Sequence, residues 1–235
     1  MKKVFIVIAI LILYCSTCFA EKQEWLDENY DLKNVNMVYL DFNFNPALNN
    51  GIVEKEAKKI FKEKFALDIA KKLNNKNIVI NTKETIENLS KSDKNRNIIN
   101  GEYLRSYVKS NHDLIICIEV QDYRMGSSYV DSKSYSYNIP RTSWIYGANG
   151  SAVVTTNETQ VINVPGGNRP TVFVKVRFDV IDPKLSEPVW SRIDDRSRVN
   201  EDEFDTSKPK DVYGRILKDF KNDFIKKIIS SKENE

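Results

Sequence analysis

Residues 112–120 read His112-Asp113-Leu114-Ile115-Ile116-Cys117-Ile118-Glu119-Val120. Leu114 to Val120 is the most apolar run beyond residue 20. It is short and rich in β-branched residues, which predicts a buried strand with Cys117 inside it. Upstream, Met37 to Phe44 alternates, with Val38, Leu40, Phe42 and Phe44 on one face, and predicts the first strand. Asn45 to Gly51 is a turn. Val53 to Leu73 carries Ala57, Ile60, Phe61, Phe65, Ile69 and Leu73 at helical spacing and ends at Asn74-Asn75. Asn77 to Asn81 predicts a short strand. Asn81 with Glu84 predicts the start of a helix to about Leu89, residues 90–98 a loop, and Asn100 to Ser110 a further helix. Strands alternating with helices up to Val120 specify an α/β arrangement.

The pattern changes downstream. Tyr123 to Gly150 is rich in Tyr, Ser and Gly. Ala152–Val164, Thr171–Asp182 and Val189–Arg198 then predict three strands, separated by Pro165-Gly166-Gly167-Asn168-Arg169-Pro170 and by Asp182-Pro183-Lys184 up to Pro188. Residues 200–205 are an acidic loop. Ser207 and Pro209 announce a helix with Tyr213, Ile216, Leu217, Phe220, Phe224 and Ile228 at core spacing. The expected fold class is therefore α/β (α+β): a single mixed sheet with an antiparallel C-terminal meander, amphipathic helices packed on it, and a long C-terminal helix.

Residues 1–20 read as a secretory signal, with Lys2 and Lys3, an apolar run from Val4 to Tyr14, and small residues at Cys18 and Ala20. Cleavage is expected after Ala20. The rival processing is lipidation at Cys18, disfavoured because Cys15 stands where a branched apolar residue belongs. The chain has 235 residues, 36 Lys and Arg against 33 Asp and Glu, one histidine and three cysteines. Without the leader's two lysines, 34 bases face 33 acids, a net +1 that argues against a nucleic-acid surface. Only Cys117 then remains, so no intramolecular disulfide can form and core packing must hold the exported chain. The expected organisation is a signal peptide over 1–20, a polar lead-in over 21–34, and one mixed domain over 35–230 carrying an aromatic arm over 123–150.

The element order resembles a mixed-sheet domain of exported bacterial proteins, including the N-terminal domain of the Tol-system propeller protein and the core of the curli-secretion lipoproteins. The residues that carry the resemblance are Tyr30 to Val35, His112 to Ile116, and above all Val172-Phe173-Val174-Lys175-Val176-Arg177-Phe178-Asp179-Val180-Ile181-Asp182-Pro183 followed by Pro188-Val189-Trp190-Ser191. The resemblance spans most of 30–230 and departs at Tyr123–Gly150, which is longer and more aromatic than a plain connection. It implies an envelope binding or assembly module.

The candidate site is the arm. Tyr129, Tyr135, Tyr137, Trp144 and Tyr146 offer rigid contact area, Ser and Gly offer adaptable hydrogen bonding, and Arg141 offers a charge for an acidic partner. A structural reading, in which these aromatics pack on their own sheet, stands beside it. His112 lacks a motif for a nucleophile, Cys117 sits in an apolar run that makes a thiol inert, and the acids at 194–195 and 201–205 lack a calcium-loop spacing. The Pro165–Pro170 stretch lacks the Lys-Ser/Thr of a phosphate cradle. No catalytic residue, metal or cofactor is expected. The reading is an exported, non-enzymatic protein, periplasmic or envelope-associated, that binds a partner protein or envelope component. Alternatives are a glycan or small-ligand module using the arm and, third, a carboxylate-based hydrolase. Membrane association is expected only if the leader is uncleaved or Cys18 is lipidated.

Overall fold

The computed structural model describes residues 18–48, 51–92, 101–147, 150–200 and 207–233. Most of the predicted leader, residues 1–17, lies outside them, as do most of the loop expected over 90–98 and the acidic stretch at 201–206. The strands are β1 (Cys18–Leu26), β2 (Met37–Phe44), β3 (Val79–Thr82), β4 (Leu114–Val130), β5 (Lys133–Gly147), β6 (Gly150–Val164), β7 (Gly167–Asp182) and β8 (Glu187–Val199). The helices are α1 (Gly51–Ile60), continued through a π turn (Phe61–Ala66) into α2 (Leu67–Asn74), then α3 (Lys83–Ser92), α4 (Gly101–Asn111) and α5 (Pro209–Glu233). The chain divides into two units: residues up to Gly126 with Thr171 onward, and Ser127–Pro170.

The first unit holds a six-stranded mixed sheet in the order β1-β8-β7-β4-β2-β3. β2 runs parallel to β3 and β4, whereas β8 runs antiparallel to β1 and β7. This is the mixed α/β class that the residue pattern specifies. Every second residue of β4 from Leu114 to Val120 is fully buried, as are Val172, Val174, Val176, Phe178 and Val180 of β7. They share one core with α1, α2 and α5. Phe220 of α5 is central to it, stacked on Phe178 with ring centroids 4.0 Å apart and flanked by Trp190 at 5.0 Å and Phe65 at 6.1 Å. A smaller cluster of Tyr39, Ile86 and Val108 joins α3 and α4 to β2.

Local chemistry sets the boundaries. Helix α2 ends in a Schellman motif. Asn77 takes a φ of 59°, its N–H donates to the Asn74 carbonyl at 3.1 Å, and Ile78 N–H donates to the Leu73 carbonyl at 3.1 Å. Thr82 caps α3, since Thr85 N–H donates to Thr82 Oγ1 at 3.3 Å and Thr82 N–H to Thr85 Oγ1 at 2.7 Å. The cap is therefore one residue past the Asn81 expected from sequence. The Asp113 carboxylate accepts from Asn36 and Met37 N–H at 2.9 and 3.0 Å, tying the starts of β2 and β4 together. At α5, Pro209 takes the first helical position and Asp211 reaches back to accept from Lys208 N–H at 3.1 Å. The Lys64 carbonyl of the π turn accepts from the buried Lys221 ammonium at 3.3 Å, and that ammonium also pairs with Asp68.

Two stretches differ from expectation. Glu21–Leu26 is not a lead-in but the greater part of edge strand β1, in register from Glu21↔Asp195 to Leu26↔Trp190. Its sequence lacks apolar alternation because its side chains meet charge rather than core. Lys22 lies opposite Asp194 and Glu24 opposite Arg192, and such opposite-charge pairs stabilise a ladder. The strand expected over Ala152–Val164 pairs with β5 in a sheet of its own rather than with β7.

Beneath β1 lies a buried ion network. Arg192 and Asp194 are 2% and 1% exposed, joined at 2.6 Å. Arg192 also reaches Asp223 of α5 at 2.7 Å, and Arg196 grips Asp194 at 2.7 Å and Asp219 at 2.9 Å. Trp190 Nε1 donates to Glu24 at 2.8 Å, so strand, sheet and helix share one polar seam.

Candidate functional site

The Ser127–Pro170 unit contains the arm. β5 and β6 pair through fifteen antiparallel positions, from Lys133↔Val164 to Gly147↔Gly150. They form a two-stranded sheet. The connection before β5 and the one after β6 meet at Gly166, where a Cβ would stand 2.7 Å from Ser132 N and 2.9 Å from the Val130 carbonyl. This close backbone approach is why glycine follows Pro165. It gives the Gly-rich stretch a structural role in the turn.

Because side chains alternate along a strand, the register sorts the six candidates. Tyr135, Tyr137 and Arg141 share one parity, opposite Ile162, Gln160 and Thr156. Trp144 and Tyr146 occupy the other parity, opposite Val153 and Ser151, and their side chains lie outside the described residues. Tyr129 stands on β4 and is 69% exposed. Tyr135 and Tyr137 are 40% and 43% exposed. The Tyr137 hydroxyl donates to Gln160 Oε1 at 2.7 Å, directly across the ladder. Arg141 is committed to Glu158 at 2.5 Å, diagonally across the same face. Arg141 thus has a carboxylate of its own and is not the free charge that the sequence suggested.

The arm differs from the expected 123–150 in its bounds. Tyr123 belongs to the main core, buried in edge-on contact with Tyr213 and donating to Glu56 at 2.8 Å. At the other end the ribbon continues through β6, whose Val153, Val161, Ile162 and Val164 are exposed. These apolar residues were not singled out from sequence, where alternation with Thr, Asn and Gln reads as an ordinary half-buried strand.

The remaining candidates have structural settings. His112 is buried between Tyr39 and Tyr107. Its Nδ1–H donates to the Val108 carbonyl at 3.2 Å, so Nε2 accepts from Asn81 Nδ2 at 3.0 Å and the ring is neutral. Burial holds its pKa below the ordinary histidine value. Burial, with Asp41 and Asp179 nearby, pushes the Cys117 thiol up to about 12, which makes it a poor nucleophile. Asp194 belongs to the ion network above. A shallow cleft of about 170 Å³, bordered by Tyr30, Trp190, Phe224 and Lys227, is smaller than the ~300–1,000 Å³ usual for small-molecule sites. Among the described residues no group of three His, Cys, Asp or Glu is placed to hold a metal ion. Among them, too, no helix is long and apolar enough to cross a membrane.

No family model and no curated protein matches the chain. The likeness to the Tol-system and curli-secretion proteins therefore rests on the residues quoted for it. Among solved structures, the PelC dodecamer from Paraburkholderia phytofirmans is 12% identical with a TM-score of 0.38, covering 85% of this chain and 92% of that one. A neuraminyllactose-binding hemagglutinin homolog from Helicobacter pylori is 13% identical with a TM-score of 0.40, covering 86% and 93%. Lipoprotein GNA1162 from Neisseria meningitidis is 9% identical with a TM-score of 0.33, covering 80% and 96%. Likeness at this level says nothing of what this chain does.

Proposed function

We propose that the chain is an exported, non-enzymatic envelope protein that binds a partner protein or envelope component through its β5–β6 ribbon. The leader pattern from Lys2 to Ala20 supports export. Cleavage after Ala20 leaves Glu21–Leu26 to pair with β8 and keeps Lys22 and Glu24 in the seam. One observation carries the binding reading: a fifteen-rung, two-stranded ribbon keeps Tyr135, Tyr137, Val161 and Ile162 exposed. A hairpin of two strands is marginal in water and gains from a further packed surface. Tyr129, Tyr135, Tyr137, Arg141, Trp144 and Tyr146 are the proposed contact residues, with Arg141 acting as an ion pair with Glu158.

The test compares wild type with a Tyr135→Ala/Tyr137→Ala variant, both purified from the periplasm of an expression host, in pull-downs from detergent-solubilised envelope. A partner retained by wild type and lost by the variant, with equal thermal melts, supports the reading. Equal recovery by both refutes it. Retention of glycan rather than protein selects the alternative ligand class. Intact mass of the same preparation is expected to match a chain starting at Glu21, and a mass starting at an acylated Cys18 would overturn the cleavage site.

A further inference from the structure

Charge is unevenly distributed in the main unit. Helices α1, the π turn and α2 (Gly51–Asn74) together with α5 (Pro209–Glu233) hold fourteen Lys and Arg against eight Asp and Glu, a net +6. The whole chain is +3, so everything outside these helices sums to −3. The helices lie side by side on one face of the sheet, joined by Phe65 on Phe220 and by Lys221 on Lys64 and Asp68.

The arrangement of partners sharpens the imbalance. Asp219 and Asp223 are taken by Arg196 and Arg192 of β8, and Asp68 by Lys221 and Lys72. By contrast, Lys55, Lys58, Lys71, Arg215, Lys218 and Lys226 are exposed, and among the described residues no salt bridge holds them, Lys58 feeling Glu84 only at longer range. Leu67 stands among these cations, between Lys64 and Lys71 one turn to either side, and is 67% exposed.

We infer that this helical face docks on an anionic phospholipid surface. Lysine predominates, a strongly hydrated point charge suited to a diffuse field of headgroups, whereas recognition of single phosphates favours the arginine fork. Two neighbouring helices present a broad area rather than a groove. Among the described residues no exposed aromatic side chain on these helices interleaves the six cations to stack on bases, which disfavours single-stranded nucleic acid. Leu67 adds a small apolar contact at the acyl boundary, as on interfacial helices. The inference is independent of the ribbon, which contributes none of these residues.

The test is vesicle co-sedimentation of the chain purified from the periplasm of an expression host. Vesicles are pure phosphatidylcholine or phosphatidylcholine with one-third phosphatidylglycerol. Wild type is expected to bind only the anionic vesicles, and to lose at least tenfold in affinity between low and roughly threefold physiological salt as screening tightens. A Lys58→Gln/Lys71→Gln/Lys218→Gln/Lys226→Gln variant breaks no salt bridge among the described residues and should melt as wild type does. At roughly fivefold per cation near such a surface, it should bind at least a hundredfold more weakly. Leu67→Ser should weaken binding severalfold with an unchanged salt dependence. Equal binding to neutral vesicles would overturn the inference, because it reports the N-terminal segment or non-specific adsorption. Undiminished binding by the quadruple variant would also overturn it, as would retention on heparin or nucleic acid with the anionic vesicles ignored.

Discussion

Trp190 offers the sharpest test of the core. It is 2% exposed and stacks 5.0 Å from Phe220 and 6.2 Å from Phe224, with the Lys227 ammonium 5.1 Å from its ring and its Nε1–H donating to Glu24 at 2.8 Å. Trp190→Ala removes the ring from between β8 and α5 and leaves a void that close-packed neighbours fill only in part. Large aromatic deletions of this kind cost about 3–5 kcal/mol. Trp190→Phe keeps the stack and most of the volume but loses the indole donor. Glu24 retains Lys22 at 2.6 Å, so its carboxylate is not stranded. The expected cost is about 1–2 kcal/mol, from one hydrogen bond to a charged acceptor and the smaller ring. Urea unfolding followed by far-UV circular dichroism measures both. A loss below about 1 kcal/mol for the alanine variant would show that α5 does not pack on β8 as described. A phenylalanine variant as damaged as alanine would show that the Glu24 bond, not packing, dominates the site.

Asp194→Ala leaves the buried Arg192 with Asp223 alone and takes a carboxylate from Arg196, and is expected to cost about 2–4 kcal/mol in the same melts, below the full cost of an unpaired buried charge. Exposed pairs such as Lys175 with Asp195 are worth ~1 kcal/mol or less. Stability should fall as pH drops below about 6.5. The folded pKa of His112 is depressed by burial, with Asp113 and the Val108 carbonyl opposing, so the unfolded chain takes up the proton first. His112→Gln should remove that part of the pH slope, and an unchanged slope would refute the assignment. Gly166→Ala forces a Cβ against the Ser132 backbone and should destabilise by about 1–3 kcal/mol, seen as faster amide exchange over 133–164, whereas Gly167→Ala meets open space and should be near neutral. Equal effects at the two glycines would contradict the turn geometry.

How legible the sequence was varies with the physical source of each signal. Leu114–Val120, Thr171–Asp182 and the stripe on 209–233 announce themselves because each buries one face against an apolar core, and periodicity reports that directly. β1 is silent in the same terms, since its inward residues Lys22 and Glu24 meet Asp194, Arg192 and Trp190 Nε1, partners that are over a hundred and sixty residues away. The break between α1 and α2 is equally invisible, because Phe61, Phe65 and Ile69 keep helical spacing across the π turn. Asn81 looked like a cap by residue type, yet it is buried on His112 and Thr82 takes the cap. For the arm, composition located the aromatics but not their division by parity, which the Lys133↔Val164 register alone decides.

That register also bears on the proposal that the ribbon is where the chain binds. Its rungs are joined by polar pairs: Ser134 with Asn163, Tyr137 with Gln160, Asn138 with Thr159, Thr142 with Thr155, and Arg141 with Glu158. Such cross-strand pairs supply roughly 0.2–1 kcal/mol each, which zips two strands without any core. Val153, Val161, Ile162 and Val164 contribute nothing to those pairs and remain at the surface. In the main unit, by contrast, the apolar residues of β4 and β7 facing the helices are consumed by packing, and even its buried charges are matched. Apolar surface held in a regular frame by polar rungs is available to a second molecule at little cost to the frame itself. On that division Val161 and Ile162 are displayed groups only, whereas Tyr137 and Arg141 also hold the frame through Gln160 and Glu158.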